Sequence, residues 1–506
     1  MDILLILLLY PLFMSIYWIV GTLFYALFYE IRLKKAPNKN IGEDGISFLI
    51  PCFNEADTIA DTIKSIVALE FPNKEIIVIN DGSSDNSAEM LYRLQNTLDF
   101  IFVDLPENNG KANALNQGLK YATYDYVMGI DADTMIDNDG PYFMLEHFKK
   151  NPKLAAVTGN PRIRNKRALL GKIQAIEYAS MVGSIKRAQS IMGKINTISG
   201  VFTLFRKSAI EAVGRWDIDM ITEDIAISWK FHLHGYHIKY EPRALCWMLV
   251  PETVSGLWKQ RIRWAQGGQE VLIRDGLKGL KSMNPALYML VFEQFFSLIW
   301  VYWIVISLLL AFLNSNFLDI YYLQYHFSII ILSALILTFI NIVQFTVSLI
   351  IDSRYEKQNM FTLFYLSWYP TIYWVLNALV AMLAFPKALL RKKGEFATWS
   401  SPDRGKKRLK HSILNLIREV IIFCFSISLW LYCLIAFILI IGSLLRISAH
   451  SVLLIRTVLN IEPDSMNQIF VKMAIFIVII TMIFTTSICV HLYRNKKEGI
   501  NDGKFL

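Results

Sequence analysis

ISFLIPC (46–52), EIIVIN (75–80), DFIFVD (99–104) and DYVMGI (125–130) decide the fold of this 506-residue chain. Each is a short β-rich run, and helical patterns near 55–69, 84–96 and 110–122 separate them. Strands alternating with helices build a mostly parallel sheet covered by helices, an α/β domain. Ligands of such sheets bind outside the carboxyl ends of the strands. The polar clusters fall at those ends: Pro51, Asn54 and Glu55 after the first run, Asn80-Asp81-Gly82-Ser83-Ser84-Asp85 after the second. Asn109-Gly110-Lys111 follows the third and Asp131-Ala132-Asp133 the fourth.

Outward from this block the chain becomes apolar: 54% of its residues are hydrophobic, and they come in long stretches. A bilayer core needs about 20 apolar residues in a helix. Stretches 3–28, 287–312, 327–351, 415–443 and 469–492 meet that length, whereas 361–385, with Pro370, reads as an interfacial or re-entrant helix. The first is too long for the core of a cleaved signal peptide and is expected to stay as an anchor. Basic clusters at Arg32–Lys39 and Lys387–Lys410 put both flanks in the cytosol by the positive-inside tendency. Membrane orientation then accounts for most of the net charge of +9, and no nucleic-acid surface is expected. Five cysteines without paired spacing indicate neither disulfides nor a zinc site.

Taken singly, each polar cluster has a plain reading as a turn or a helix cap. Together they make chemical sense. Asp81 can bind a base or ribose hydroxyls, Asp131 and Asp133 offer hard oxygen ligands to Mg²⁺ or Mn²⁺ on a diphosphate, and Lys111 brings charge near it, its plain reading being a solvated loop lysine. Thr222-Glu223-Asp224 opens a further helix, where a carboxylate also suits the helix dipole. Gln260-Arg261-Ile262-Arg263-Trp264 precedes the membrane stretches and reads equally as an amphipathic interface helix, 254–275. His232, His234 and His237 read as solvent-facing, and Glu177 and Glu270 as acceptor ligands or, more often for such residues, plain helix-face charges.

The order NDGSSD, DAD, TED and QRIRW, followed by spans, resembles the processive family-2 glycosyltransferases, the group of cellulose, chitin and hyaluronan synthases. The resemblance implies a GT-A fold beside a transmembrane bundle. Donor binding then falls to Pro51, Asn54, Glu55, Asp81, Lys111, Asp131 and Arg263, and the metal to Asp131 and Asp133. Asp224 becomes the general base of a single, inverting displacement, and Glu223, Gln260 and Trp264 hold the acceptor.

AVTGNPRIRNK (156–166), NTISGVFTLF (196–205), CWMLVPET (246–253) and IDSRYEK (351–357) narrow the likeness to bacterial poly-β-1,6-N-acetylglucosamine synthases, makers of a biofilm exopolysaccharide. UDP-N-acetylglucosamine is the donor implied. NLIRE (415–419), LWLYC (429–433), IIGSLL (440–445) and IRTVLN (455–460) resemble the two-span accessory subunit of that synthase, here fused in cis.

The expected map is an anchor at 1–30, a catalytic domain at 45–280 and membrane or interface helices at 287–390. A basic loop at 391–411 and the accessory region at 412–506 follow. By similarity to related synthases, Trp399, Ser400, Ser401 and Arg404 form a loop gating the nucleotide; a plain basic linker is the alternative. Chitin- or hyaluronan-type synthesis, a non-catalytic UDP-sugar sensor, and a transporter remain the competing functions.

Overall fold

The structure, a computed structural model, describes residues 3–191, 193–313, 337–356, 360–369, 373–392, 394–398 and 420–431. Helix α1 (Ile3–Phe28) leads into β1 (Ile46–Cys52), α2 (Ile59–Val67), β2 (Lys74–Asp81), α3 (Ser87–Gln95), β3 (Ile101–Leu105), α4 (Lys111–Gly118) and β4 (Tyr126–Ile130). Then come β5 (Met135–Ile136), α5 (Gly140–Lys150), β6 (Leu154–Ile163), α6 (Leu169–Tyr178), a π-helical turn (Ala179–Ile185) and α7 (Lys186–Ile191). The domain closes with β7 (Phe202–Arg206), α8 (Lys207–Ala212), α9 (Glu223–Leu233), β8 (His237–Met248) and the long α10 (Val254–Lys281).

The strands form one sheet in the order β3-β2-β1-β4-β7-β6-β8-β5. β1 pairs in parallel with both β2 and β4, and β2 with β3, as the alternating pattern requires. The other half departs from that pattern. β7 runs antiparallel to β4 and β6 on either side, and only the pair β6–β8 returns to parallel. Every residue of β1 is buried, because helices cover both faces of the sheet. Phe48 and Ile50 meet Ile59, Ile63 and Ile66 of α2 on one face, and Leu49 meets Leu115 of α4 and Ile79 on the other. That alternation follows from the two-residue period of a strand. The register Cys52↔Asn80 and Asp81↔Leu105 brings the carboxyl ends of β1, β2 and β3 level.

The apolar stretches become α1, α11 (Pro285–Leu313), α12 (Leu337–Asp352), a 3₁₀ run (Met360–Ser367), α13 (Trp374–Leu390) and α14 (Val420–Leu431). Among the described residues α1 and α11 are long and apolar enough to cross a bilayer. Leu9, Phe13, Ile16, Val20 and Leu27 of α1 face outward uncovered, as a lipid-facing helix requires. Within stretch 361–385 the described residues include the end of the 3₁₀ run and the beginning of α13. The interface helix expected at 254–275 continues to Lys281; Thr253 caps it, its hydroxyl accepting from the Gly256 N–H at 3.0 Å. Residues 327–336, 415–419 and 469–492, with Trp399, Ser400, Ser401 and Arg404, lie outside the described residues.

Two expectations fail on burial. His232 is buried, with Nε2 2.7 Å from the Ile195 carbonyl, whereas His234 and His237 are exposed as expected. Glu177 and Glu270 are not helix-face charges: both are buried and ion-paired, Glu177 to Arg261 at 2.7 Å and Glu270 to Arg391 at 2.9 Å. Helix α10 packs against α13, and that packing removes from water a face that spacing alone leaves open.

Candidate active site

The loops beyond the strands are tied to one another. Asn54, in the left-handed region at φ +57°, accepts from the backbone N–H groups of Ser84 (2.8 Å) and Asp85 (3.2 Å). Asp81 is fully buried, and its carboxylate accepts from the N–H groups of Asn109 (3.2 Å) and Gly110 (2.9 Å), presetting the start of α4. Gly110 has φ +88°, and a Cβ there would stand 2.1 Å from the Ala397 carbonyl oxygen. The segment 394–398 is thereby laid against the loop that opens α4, further held by Ala397 N–H to the Ile218 carbonyl at 2.9 Å. Gly110→Ala is expected to displace it, with backbone strain of about 1–3 kcal/mol. The checks are a higher donor KM and faster proteolytic cutting between Arg391 and Thr398.

Lys111, first residue of α4, is not a solvated loop lysine. Its Nζ is 2.6 Å from Asp131 Oδ1 and 2.9 Å from Glu223 Oε1, and it donates to the Gly200 carbonyl at 3.2 Å. Burial opposes the charge, yet the two carboxylates hold this ammonium well above its ordinary range. Gly200 lets the backbone come close: a Cβ there would be 3.3 Å from Asp224 Oδ2 and 3.3 Å from Glu223 Oε1. Burial first, then the charge of Glu223, push the Asp224 carboxyl up to about 6, with Lys111 and Arg263 pulling it down. A carboxylate so raised is suited to general-base work near neutrality.

Helix α10 is fixed against the start of α9 at Gly267, where any Cβ would strike the Thr222 side chain at 2.3 Å. This contact sets QRIRW opposite Asp224. Gln260, Arg263 and Trp264 share a cavity of about 710 Å³ with Lys111, Asp131, Asp133, Glu223 and Asp224. Gln260 lines the cavity, and its Oε1 is buried with no hydrogen-bond partner among the described residues. The same cavity continues between the apolar helices, past Trp18 of α1, Ser297 and Trp300 of α11, and Asn341 and Gln344 of α12.

Eight of the expected residues are thus brought together around one space. Pro51, Asn54, Glu55 and Asp81 stand at the neighbouring strand ends, outside the cavity lining. The cavity also exposes residues that sequence reading passed over. Lys186 of α7 lines it and donates to Ser199 Oγ at 2.6 Å; burial pushes its ammonium down to about 7, against the pull of Asp224. Arg261, inside a quoted motif but given no role, lies with its guanidinium 4.5 Å from the Trp264 ring centroid. No spacing signal marks Lys186, since its neighbour Asp224 lies 38 residues further along the chain.

Residues 47–214 match the model of Glycosyl transferase family 2, and residues 410–500 that of Poly-beta-1,6-N-acetyl-D-glucosamine synthesis protein IcaD. The chain is 62% identical over 404 residues to a poly-β-1,6-N-acetyl-D-glucosamine synthase of Staphylococcus epidermidis, a match covering 79% of this chain and 98% of that protein. The synthase of Staphylococcus aureus strain MSSA476 is 62% identical over 402 residues, with the same coverage of 79% and 98%. Among solved structures, the mannosyltransferase PcManGT from Pyrobaculum calidifontis, in complex with GDP-Man and Mn²⁺, is similar at TM-score 0.44 and 18% identity, covering 70% of this chain and 100% of its own. Matched along nearly the full length of these relatives, the chain belongs to the poly-β-1,6-N-acetyl-D-glucosamine synthase family, with a family 2 glycosyltransferase domain and an IcaD-like C-terminal region.

Proposed function

We propose that the chain is a processive, inverting synthase that polymerises N-acetylglucosamine from UDP-N-acetylglucosamine into a β-1,6-linked exopolysaccharide and passes it across the cell membrane. The carrying observation is the single cavity that holds Asp224, Asp131, Asp133 and Trp264 at one end and runs between α1, α11 and α12 at the other. Asp224 takes the proton from the acceptor hydroxyl as that oxygen attacks the anomeric carbon and UDP leaves from the opposite side. One displacement turns an α-linked donor into a β-linkage. Gln260 and Trp264 orient the acceptor, the aromatic face packing on the sugar's C–H face. Arg263 and Lys111 face the diphosphate.

The donor set fits a divalent metal. Asp131 and Asp133, both in the cavity lining, would hold it through carboxylate oxygens, and among the described residues no group of three or more His, Cys, Asp or Glu forms a cage. Mg²⁺ is usually held by one or two carboxylates plus substrate phosphates, and the protein supplies that share here. When bound, such a metal neutralises charge growing on the leaving diphosphate. Asp81, with Pro51, Asn54 and Glu55 beside it, shapes the nucleoside end.

The basic clusters favour a multi-pass protein with its catalytic domain in the cytosol. The loop 391–411 then lies on the same side, with Trp399, Ser400, Ser401 and Arg404 gating the nucleotide. Residues 412–506 act as the accessory subunit in cis, at the mM effective concentration typical of short linkers.

Membranes carrying the intact chain are expected to incorporate labelled N-acetylglucosamine from its UDP donor into polymer that a β-1,6-N-acetylglucosaminidase degrades. EDTA or Asp133→Ala should stop incorporation, with Mg²⁺ or Mn²⁺ restoring the EDTA-treated sample only. Product resistant to that enzyme but cut by chitinase or hyaluronidase would move the assignment to another β-linked polymer; UDP binding without product would favour a sensor.

A further inference from the structure

Three side chains that the displacement does not use meet at the wall of the cavity, where the catalytic domain joins the helices after it. Glu177, near the end of α6, is fully buried. Its Oε2 accepts from Arg261 Nη2 at 2.7 Å and from the Tyr373 hydroxyl at 2.8 Å, and Arg261 Nη2 is also 3.1 Å from that hydroxyl. Tyr373 immediately precedes α13, so the cluster ties α6, α10 and the entry to α13 at one point. The Arg261 guanidinium then covers the Trp264 ring at 4.5 Å. Burial pushes the Glu177 carboxyl up, and Arg261, Tyr373 and Asn377 offset only part of that rise.

A buried ion pair contributes little net stability against an apolar replacement, so its use here is better sought in geometry. An arginine held at one nitrogen by a carboxylate and a phenol has its plane set. A guanidinium over an indole restricts the tilt of that indole and fills one of its two faces. Trp264 also packs on the apolar cluster around Ile163 and Met248, and the part of it that lines the cavity is what a sugar ring can pack on. A chain lengthened by one unit at a time must reseat its end there in every cycle, and a loosely held indole lets it go.

We infer that Glu177 and Tyr373 are positioning residues for the acceptor: through Arg261 they hold the Trp264 indole against which the end of the growing chain packs, and so set how many sugars are added before release. The inference rests on the synthase reading above.

The test compares the intact chain with Glu177→Gln and Tyr373→Phe, assayed in membranes with UDP-N-acetylglucosamine and short β-1,6-linked N-acetylglucosamine oligomers. Glu177→Gln keeps the shape and removes the charge; Tyr373→Phe removes one hydroxyl and leaves the Glu177–Arg261 pair. Both variants should keep the donor KM and UDP affinity of the parent, raise the oligomer KM about tenfold, the scale of losing a hydrogen bond to a charged group, and shift the product to shorter chains. The double variant should lose little more than Glu177→Gln alone, because both act through Arg261. Unchanged product length, or a fall in kcat with both KM values unmoved, overturns the inference while leaving the synthase reading intact. No polymer from the parent chain sinks that reading itself. If Glu177→Gln loses UDP affinity through misfolding, Tyr373→Phe decides alone.

Discussion

Asp224→Asn is expected to abolish polymer formation and to leave UDP bound. The carboxylate stands at the start of α9 beside Glu223, Gly200 and the cavity. Asn keeps its size and removes its ability to take a proton, a loss of about 10²–10⁴ in rate for a positioned base. Because burial and Glu223 raise this carboxyl from 3.8 to about 6, the parent's rate should fall as pH drops through about 6. The stability sign is opposite. A group whose folded value is raised favours the fold when protonated, so its contribution is complete below the ordinary carboxyl range and is lost as pH rises through about 6. Asp224→Asn should therefore melt no earlier than the parent at pH 7.5, and the pH dependence between 4 and 6 should flatten. Thermal melting beside single-turnover transfer at several pH values checks both. An inactive variant that also melted early would place Asp224 in the scaffold instead.

Arg187→Met is expected to have the second large effect, on stability. Arg187 is fully buried; its Nε is 2.6 Å from Glu30 Oε2, its Nη2 is 3.0 Å from Glu30 Oε1, and its Nη1 is 2.9 Å from Asp352 Oδ1. Arg162 reaches the other oxygen of Asp352 at 2.7 Å, and the Tyr355 hydroxyl donates to Glu30 at 2.6 Å. This cluster joins the end of α1, β6, α7 and the end of α12, which is how the apolar helices are bolted to the catalytic domain. A Cβ at Gly183 would come within 2.9 Å of the Arg187 guanidinium, so the π-helical turn also needs its glycine. Removing one partner of a buried pair leaves charge without compensation, at about 3–5 kcal/mol. Lysine cannot replace the two-pronged grip on Glu30. The exposed pair Lys39–Glu70 is the contrast: losing it should change stability by about 0–1 kcal/mol. Melting of the detergent-solubilised chain separates the two cases.

Much of the site is legible in the sequence, because strand ends and turn chemistry are local. NDGSSD follows an apolar run and must turn, and DAD follows another; the parallel half of the sheet then carries both to one edge. What could not be read was burial created by distant segments. Spacing left Lys111 open to a plain loop reading beside its expected place near a phosphate, and Asp131 and Glu223 close on it from 20 and 112 residues away in the sequence. His232 seemed solvated until the Ile195 loop covered it. The antiparallel entry of β7 was likewise invisible, since its direction depends on the helical excursion through α6 and α7 rather than on its own five residues.

The sequence by itself determined the division into an apolar collar and an α/β body, the strand runs of the parallel half, and the set of carboxylates available for chemistry. These depend on periodicity and residue type, which act over a few residues. Only the tertiary structure decided which charges lose water and which partners they find: Asp224 raised, Lys111 clamped, Glu177 and Arg261 locked beneath Trp264. Desolvation and pairing are set by atoms brought within a few ångströms from remote parts of the chain, and no spacing along the sequence records that distance.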